Sequence, residues 1–331
     1  LGELKKGLFF GDGYVCANEA EKGGIGIPDS LYDKFTSTEF LIEPEDALLG
    51  LPVKAKNIHK YSAGKVLTIA GSGSLPGAAV LTATSALKIG AGASILCFPK
   101  SIRELVHKKL SEVVVKTYED SGKEYFSEKN LDELKERIKW ADVVAIGPGL
   151  GRNKETQSAV ISLLKKHKPK ITVIDADAVF ALGQGRYKKL NLNNCVLTPH
   201  HAEFSSLIGI SNSDFKRDIL KYGKGFVKKT GAYLVLKGSP TIVFTPEGDS
   251  LINTTGNPAL AKFGTGDVLT GFISGLVAQQ KNVENSIVTA IYLHGLAADI
   301  LAQKRTKLDI LATDIQNYIP QTIKFLENSI V

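Results

Sequence analysis

The chain has 331 residues, enough for one large α/β domain with an appendage. Hydrophobic residues make up 43% and charged residues 23%, which excludes a disordered or low-complexity chain. The net charge of +7 is spread over lysine pairs such as Lys108-Lys109, Lys165-Lys166 and Lys228-Lys229, not one basic stripe, so a nucleic-acid binder is not expected and some attraction for phosphorylated small molecules is.

Residues 1–10 carry charges where a secretory signal would need an apolar stretch, and no segment reads as the roughly 20 apolar residues of a bilayer span. The chain starts at Leu1 and contains no methionine, so its natural start is expected to lie elsewhere. Residues 1–50 are rich in Gly, Asp and Glu, hold the run Gly24-Ile25-Gly26-Ile27-Pro28 and show little periodicity. They could not build a core of their own. They are expected to be an extension packed on the main domain, residues 51–331, or the tail of another domain.

From Lys65 a regular alternation begins. Val66-Leu67-Thr68-Ile69-Ala70 reads as a buried strand, followed by the turn Gly71-Ser72-Gly73-Ser74. Residues 78–89 have helical composition and end at Gly90. Residues 93–98 read as a strand closed by Pro99, residues 101–110 as a helix and residues 113–115 as a strand. Residues 131–140 form a charged amphipathic helix, and Val143-Val144-Ala145-Ile146 a strand running into Gly147-Pro148-Gly149-Leu150-Gly151. Residues 157–167 read as a helix, then Ile171-Thr172-Val173-Ile174 as a strand ending in Asp175-Ala176-Asp177. Val196-Leu197 leads to Thr198-Pro199-His200-His201, and Tyr233-Leu234-Val235-Leu236 to Lys237-Gly238. Residues 241–244 and 250–252 read as a hairpin.

Strands alternating with helices, with continuous apolar runs, predict an α/β fold: a mainly parallel central sheet with helices on both faces. Ligands of such sheets bind beyond the carboxyl ends of the strands, so these turns are expected to converge on one crevice. Cys16, Cys97 and Cys195 are far apart and show no CxxC spacing, so neither a disulfide framework nor a metal site follows. A reducing, cytoplasmic setting fits them best.

Four turns can carry chemistry. In Gly264-Thr265-Gly266-Asp267 a helix follows directly, with Val268, Leu269, Phe272, Ile273, Leu276 and Val277 on one face. Its amides and dipole suit a phosphate or developing negative charge, and Asp267 is placed to accept a proton from a hydroxyl. The plain alternative is a Gly-rich helix entry with an acidic cap. In Lys237-Gly238-Ser239-Pro240-Thr241 the lysine can reach phosphate, although a lysine after a strand is more often solvated. Gly147-Pro148-Gly149-Leu150-Gly151 allows close backbone approach to a ligand but is neither a GxGxxG nor a GxxxxGK[ST] loop, and a plain βα turn explains it equally well. In Thr198-Pro199-His200-His201-Ala202-Glu203 the adjacent histidines point apart, so ligand contact by His200 is the better reading than a zinc site. Asp175 and Asp177 could position a cation or the ligand. His294 shows no evident partner.

In order, Ala70-Gly71-Ser72-Gly73 with Pro76-Gly77-Ala78-Ala79, the 147–151 turn, Asp175-Ala176-Asp177-Ala178, Leu197-Thr198-Pro199-His200, Val235-Leu236-Lys237-Gly238, Thr255-Gly256-Asn257-Pro258 and the 264–267 turn resemble one family. It is the ADP/ATP-dependent NAD(P)HX dehydratase family, of ribokinase-like fold, and the resemblance covers about residues 58–325. Residues 1–32 are similar to the last part of the NAD(P)HX epimerase domain through Lys6-Gly7-Leu8 and Gly26-Ile27-Pro28; the bulk of that domain is absent from this chain, and no epimerase activity is expected of it.

The resemblance implies a repair enzyme. It would phosphorylate the ring hydroxyl of hydrated NAD(P)H from ADP or ATP, then lose phosphate to restore NAD(P)H. The two-domain architecture, typical of bacteria, leans toward ADP. By motif, Ala78, Gly149, His200 and Asp267 should contact the hydrate, with Asp267 the base. Lys237, Gly238, Ser239, Pro240, Thr241 and Gly266 should contact the adenine nucleotide, and Gly264, Thr265 and Gly266 should hold developing charge. Mg²⁺ would accompany the phosphates without a resident metal site on the protein. The family also implies a homo-oligomer. Two places depart from the pattern: His201-Ala202 stands where Pro-Gly is frequent, and Phe263 where Gly is common. A kinase of the same superfamily acting on a vitamin-precursor alcohol, and a nucleotide sensor without catalysis, are the competing readings; the 148–151 and 199–200 residues count against the first and Asp267 against the second.

Overall fold

Val, Ile and Leu crowd the short runs that begin at Lys65, and such residues fit a pleated surface covered on both sides. The computed structural model describes residues 4–17, 20, 23–32, 36–280 and 282–329. Among these, ten strands are present: β1 (Glu39–Leu41), β2 (Lys65–Ile69), β3 (Ala93–Pro99), β4 (Val114–Tyr118), β5 (Val143–Ile146), β6 (Thr172–Ile174), β7 (Cys195–Leu197), β8 (Tyr233–Leu236), β9 (Thr241–Phe244) and β10 (Ser250–Asn253). They make one sheet in the order β1-β10-β9-β8-β7-β6-β5-β2-β3-β4. Every neighbouring pair is parallel except the two that involve β9, so β9 alone runs against the rest.

Successive side chains of a strand point to opposite faces, and the two cores follow this period. Val144, Ile146, Ile174, Leu197, Leu234 and Leu236 enter one core with the helices Lys129–Trp140, Ala176–Leu182, His201–Ile208 and Ile219–Thr230. Val143, Val173, Val196, Val235 and Val243 enter the other, with Thr265–Gln279, Val283–Lys304 and Ala312–Ser329. The helix Pro76–Lys88 lies against Thr265–Gln279. The approach is close because Gly271 and Gly275 face it: a Cβ at 271 would stand 2.4 Å from Ser85 Cβ, and one at 275 would stand 2.7 Å from the Ala86 carbonyl oxygen.

The mainly parallel sheet with helices on both faces is as expected, with local differences. The helix expected over 101–110 is a turn, Lys100–Ile102, and a short helix, Arg103–His107. The helix expected over 157–167 begins at Lys154 and closes as a wide turn, Leu163–His167, that stops where Lys168 is left-handed at φ 40°. Val283–Lys304 carries no one-sided periodicity because it is buried nearly all round. This helix does reach the length and apolarity of a bilayer span, contrary to the expectation from sequence, and 78% of its apolar window is buried inside the fold.

The packed unit begins before residue 50. β1 pairs with β10, and the helix Pro44–Leu49 buries Ala47 against the second core, where Thr289 Oγ1 donates to the Ala47 carbonyl at 2.7 Å. Further upstream, Phe9 and Phe10 pack on the first core and Lys6 pairs with Glu39 at 2.6 Å. Lys224 holds the other oxygen of Glu39. Burial alone would raise the Glu39 carboxyl, but these two lysines bring it down to about 2.

Candidate active site

The carboxyl ends of β2, β5, β6, β7 and β8 bring the predicted turns to one edge of the sheet. The ends of β2 and β5 are tied together: the Gly71 amide donates to the Pro148 carbonyl at 2.9 Å. Gly149 is left-handed at φ +63°, and a Cβ there would stand 2.6 Å from the Leu75 carbonyl oxygen and 3.1 Å from Ala78 Cβ. Any other residue would therefore collide with the start of the helix that carries Ala78. Ala78 and Gly149 thus meet as two sides of one wall.

At the end of β6, Asp175 is buried and both its oxygens are used. Lys237 Nζ donates to Oδ1 at 2.7 Å, and Thr270 Oγ1 donates to Oδ2 at 2.6 Å. In this arrangement Asp175 positions Lys237. Asp177 is similarly engaged, accepting from the Gly151 amide at 2.9 Å and from Arg152 Nε at 3.0 Å.

The helix Thr265–Gln279 starts from Gly264, left-handed at φ 92°. The Gly266 and Asp267 amides find no backbone carbonyl among the described residues, so two N–H donors remain at a positive helix end. Lys237 lies beside them, since a Cβ on Gly266 would be 3.4 Å from its Nζ. Burial raises the Asp267 carboxyl to about 7; the charges of Asp175 and Asp177 push the same way and Lys237 opposes them. Burial would lower the Lys237 ammonium, but Asp175, Glu203 and Asp267 keep it above its ordinary value. The edge therefore holds a fixed cation next to a carboxyl that ionises near neutrality, a pairing suited to moving a proton from a hydroxyl while stabilising phosphate charge.

His200 caps the helix His201–Ile208. Its Nδ1 accepts from the Glu203 amide at 3.2 Å, and Glu203 in return accepts from the His200 amide at 2.9 Å. The ring is oriented by this pair while half of it stays exposed. His201 instead turns inward onto the edge of Phe215, and its Nε2 is buried with no hydrogen-bond partner among the described residues. The two adjacent histidines diverge, as expected.

A cavity of about 1550 Å³ opens beside the helix entry. Its walls include His200, Gly266 and the turn Lys237, Gly238, Ser239, Pro240 and Thr241. Opposite them lies the turn after β10, held by Asp299, which accepts from the Gly256 amide at 2.7 Å and from Asn257 Nδ2 at 2.9 Å. Phe263 stands fully exposed on the rim. The structure therefore gathers the predicted nucleotide residues around one cavity and sets Ala78, Gly149 and Asp267 along the sheet edge next to it.

Three supporting residues show no distinct signal in the sequence. Thr270 and Asp299 are polar positions inside helices, where spacing alone reads as an incidental polar residue. His294 lies beneath the catalytic turn, its Nε2 3.0 Å from the Thr265 carbonyl, and burial lowers its ring to about 4, so it stays neutral.

Comparison with known proteins identifies the family. A family model described as NAD(P)H-hydrate dehydratase matches residues 66–321. The bifunctional NAD(P)H-hydrate repair enzyme Nnr of Moorella thermoacetica is 34% identical over 330 residues, covering 98% of this chain and 62% of that protein. The ADP-dependent (S)-NAD(P)H-hydrate dehydratase of Bacillus subtilis is 32% identical, covering 84% of this chain and 95% of its own. The chain thus spans about three fifths of the bifunctional relative and nearly all of the single-function one. Among solved structures, a ribokinase-like superfamily protein of Enterococcus faecalis superposes with a TM-score of 0.77 at 27% identity, covering 88% of this chain and 98% of that one. The ADP/ATP-dependent NAD(P)H-hydrate dehydratase from Bacillus subtilis, co-crystallized with ATP/Mg²⁺, gives 0.71 at 26%, covering 87% and 98%.

Proposed function

The chain belongs to the NAD(P)H-hydrate dehydratase family, and from that premise we propose that it converts (6S)-NAD(P)HX to NAD(P)H at the expense of ADP or ATP. The observation that carries this reading is Asp267: a carboxyl raised to about 7 at the entry of a buried helix, beside free amides and the Lys237 ammonium.

In this reading Asp267 takes the proton of the ring hydroxyl as its oxygen attacks the terminal phosphoryl group of the nucleotide. The new P–O bond forms while the bond to the departing nucleotide breaks. Lys237 and the Gly266 amide hold the charge that develops. Loss of phosphate then breaks the ring C–O bond, a proton leaves the neighbouring carbon, and the ring double bond returns. Ala78 and Gly149 form the wall for the hydrate, and His200 approaches it from the cavity side.

Among the described residues no group of three or more His, Cys, Asp or Glu side chains is arranged to hold a metal. Mg²⁺ would accompany the phosphates of the nucleotide and neutralise part of their charge. At this edge Asp175 and Asp177 are already engaged by Lys237, Thr270, the Gly151 amide and Arg152. A homo-oligomer in the cytoplasm completes the proposal.

The test is a repair assay. Protein supplied with NADHX and either ADP or ATP with Mg²⁺ is expected to regenerate the absorbance of NADH. No recovery with either donor, from protein shown to be folded, would overturn the assignment and favour a kinase acting on another alcohol.

A further inference from the structure

The nucleotide side of the cavity has a wall that lies outside the residues matched by the family model. Leu8, Phe9 and Tyr14 line it, far upstream of residue 66. Tyr14 Oη donates to the Thr254 carbonyl at 3.3 Å, and Tyr14 lines the same cavity as the turn 238–241. Burial raises the Tyr14 hydroxyl above its ordinary value, against a hydrogen bond to Ser239 in that same turn.

The segment is anchored at several points. Phe9 and Phe10 pack on the first core, and Lys6 is fixed to Glu39, itself held by Lys224. These contacts cross from the upstream residues to strand β1 and the helix Ile219–Thr230. An aromatic ring with a polar tip, lining one cavity with backbone and hydroxyl groups, suits a flat heterocycle joined to a sugar.

We infer that residues 4–17 form the outer wall of the adenine-nucleotide site and that Tyr14 is a nucleotide-contacting residue supplied from outside the dehydratase core. This rests on reading the cavity as the nucleotide site. It makes donor affinity depend on a segment that the chemistry itself does not use. The hydrate wall at Ala78 and Gly149 is formed by other elements, so the effect falls on one substrate and not the other.

The experiment is calorimetric titration of the full chain with ADP and with ATP plus Mg²⁺, without hydrate, followed by steady-state kinetics. Tyr14→Ala is expected to raise the Kd of both nucleotides about tenfold, with the KM for NADHX unchanged. Tyr14→Phe keeps the ring and is expected to stay within about threefold. The pair Lys6→Glu with Phe10→Ser, which undocks the segment without changing a residue that lines the cavity, is expected to reproduce the loss. Nucleotide affinity within twofold of the parent in folded Tyr14→Ala would overturn the inference. A parent chain that binds neither nucleotide would instead remove the reading of the cavity on which it rests.

Discussion

Asp267 differs from an ordinary surface carboxylate in one measurable way: its proton is lost near neutrality. As a base it works only when ionised, so kcat/KM is expected to rise about tenfold per pH unit below 7 and level off above it. The stability effect has the opposite sense. The unfolded group ionises at 3.8 and the folded one at about 7, so between these values the folded state holds the extra proton. By linkage, stability falls as pH rises through that window, and the penalty is fully present above about 7. Asp267→Asn is therefore expected to cut turnover by at least about 10²-fold while leaving nucleotide affinity largely intact. The same change is expected to raise Tm by about 2–4 °C at pH 8, a gain that shrinks toward pH 4. Paired pH-rate and melting profiles check both halves, and a variant keeping most of its rate would remove Asp267 as the base. The placement of Asp267 at a helix entry was legible because a helix start after two glycines is a local signal. That of Asp175 was not: its two partners lie 62 and 95 positions away, and nothing in the local sequence distinguishes a carboxylate bound to ligand from one bound to Lys237 and Thr270.

At the level of elements, the site depends on how closely the helices Pro76–Lys88 and Thr265–Gln279 approach. One carries Ala78, the proposed wall for the hydrate, and the other the turn with the proposed base Asp267, and their spacing is set where Gly271 meets Thr82 and Ser85. Gln316 crosses from the last helix to donate to Ser85 Oγ at 2.7 Å and to the Leu81 carbonyl at 3.0 Å. Gly271→Ala puts a methyl 2.4 Å from the Thr82 carbonyl oxygen, which backbone cannot easily yield. We expect it to cost about 1–3 kcal/mol of stability and to raise the hydrate KM more than the nucleotide Kd. Denaturant melts together with both binding measurements test this, and unchanged stability would mean the helices part without penalty. The turns themselves were readable from sequence because glycine and proline punctuate strand ends. The helix spacing was not, because Gly271 and Gly275 look like ordinary weak points in a helix until the partner face is known.

For the whole molecule, the alternation of strands and helices from Lys65 onward was sufficient to predict a mainly parallel sheet, and the convergence of its turns followed from that topology. The described residues between 4 and 49 gave less, since their contacts are made against the larger unit: β1 borrows its pairing from β10, and Phe9 and Phe10 borrow their burial from the first core. The far end of the chain closes the second core in the same dependent way. Ile315, Ile319 and Leu326 of Ala312–Ser329 are buried there alongside Val283–Lys304. A chain stopped after residue 311 is expected to lose soluble yield and to bind an apolar dye, because that surface would stay open; a monomeric, dye-silent product would show the last helix to be dispensable. During synthesis the same geometry imposes an order. Two of the helices that cover the apolar helix, Pro44–Leu49 and Thr265–Gln279, leave the ribosome before it, and Ala312–Ser329 leaves after it. Until that last helix emerges and docks, one flank of the apolar helix stays uncovered, and the pace of translation over the short stretch between them sets for how long.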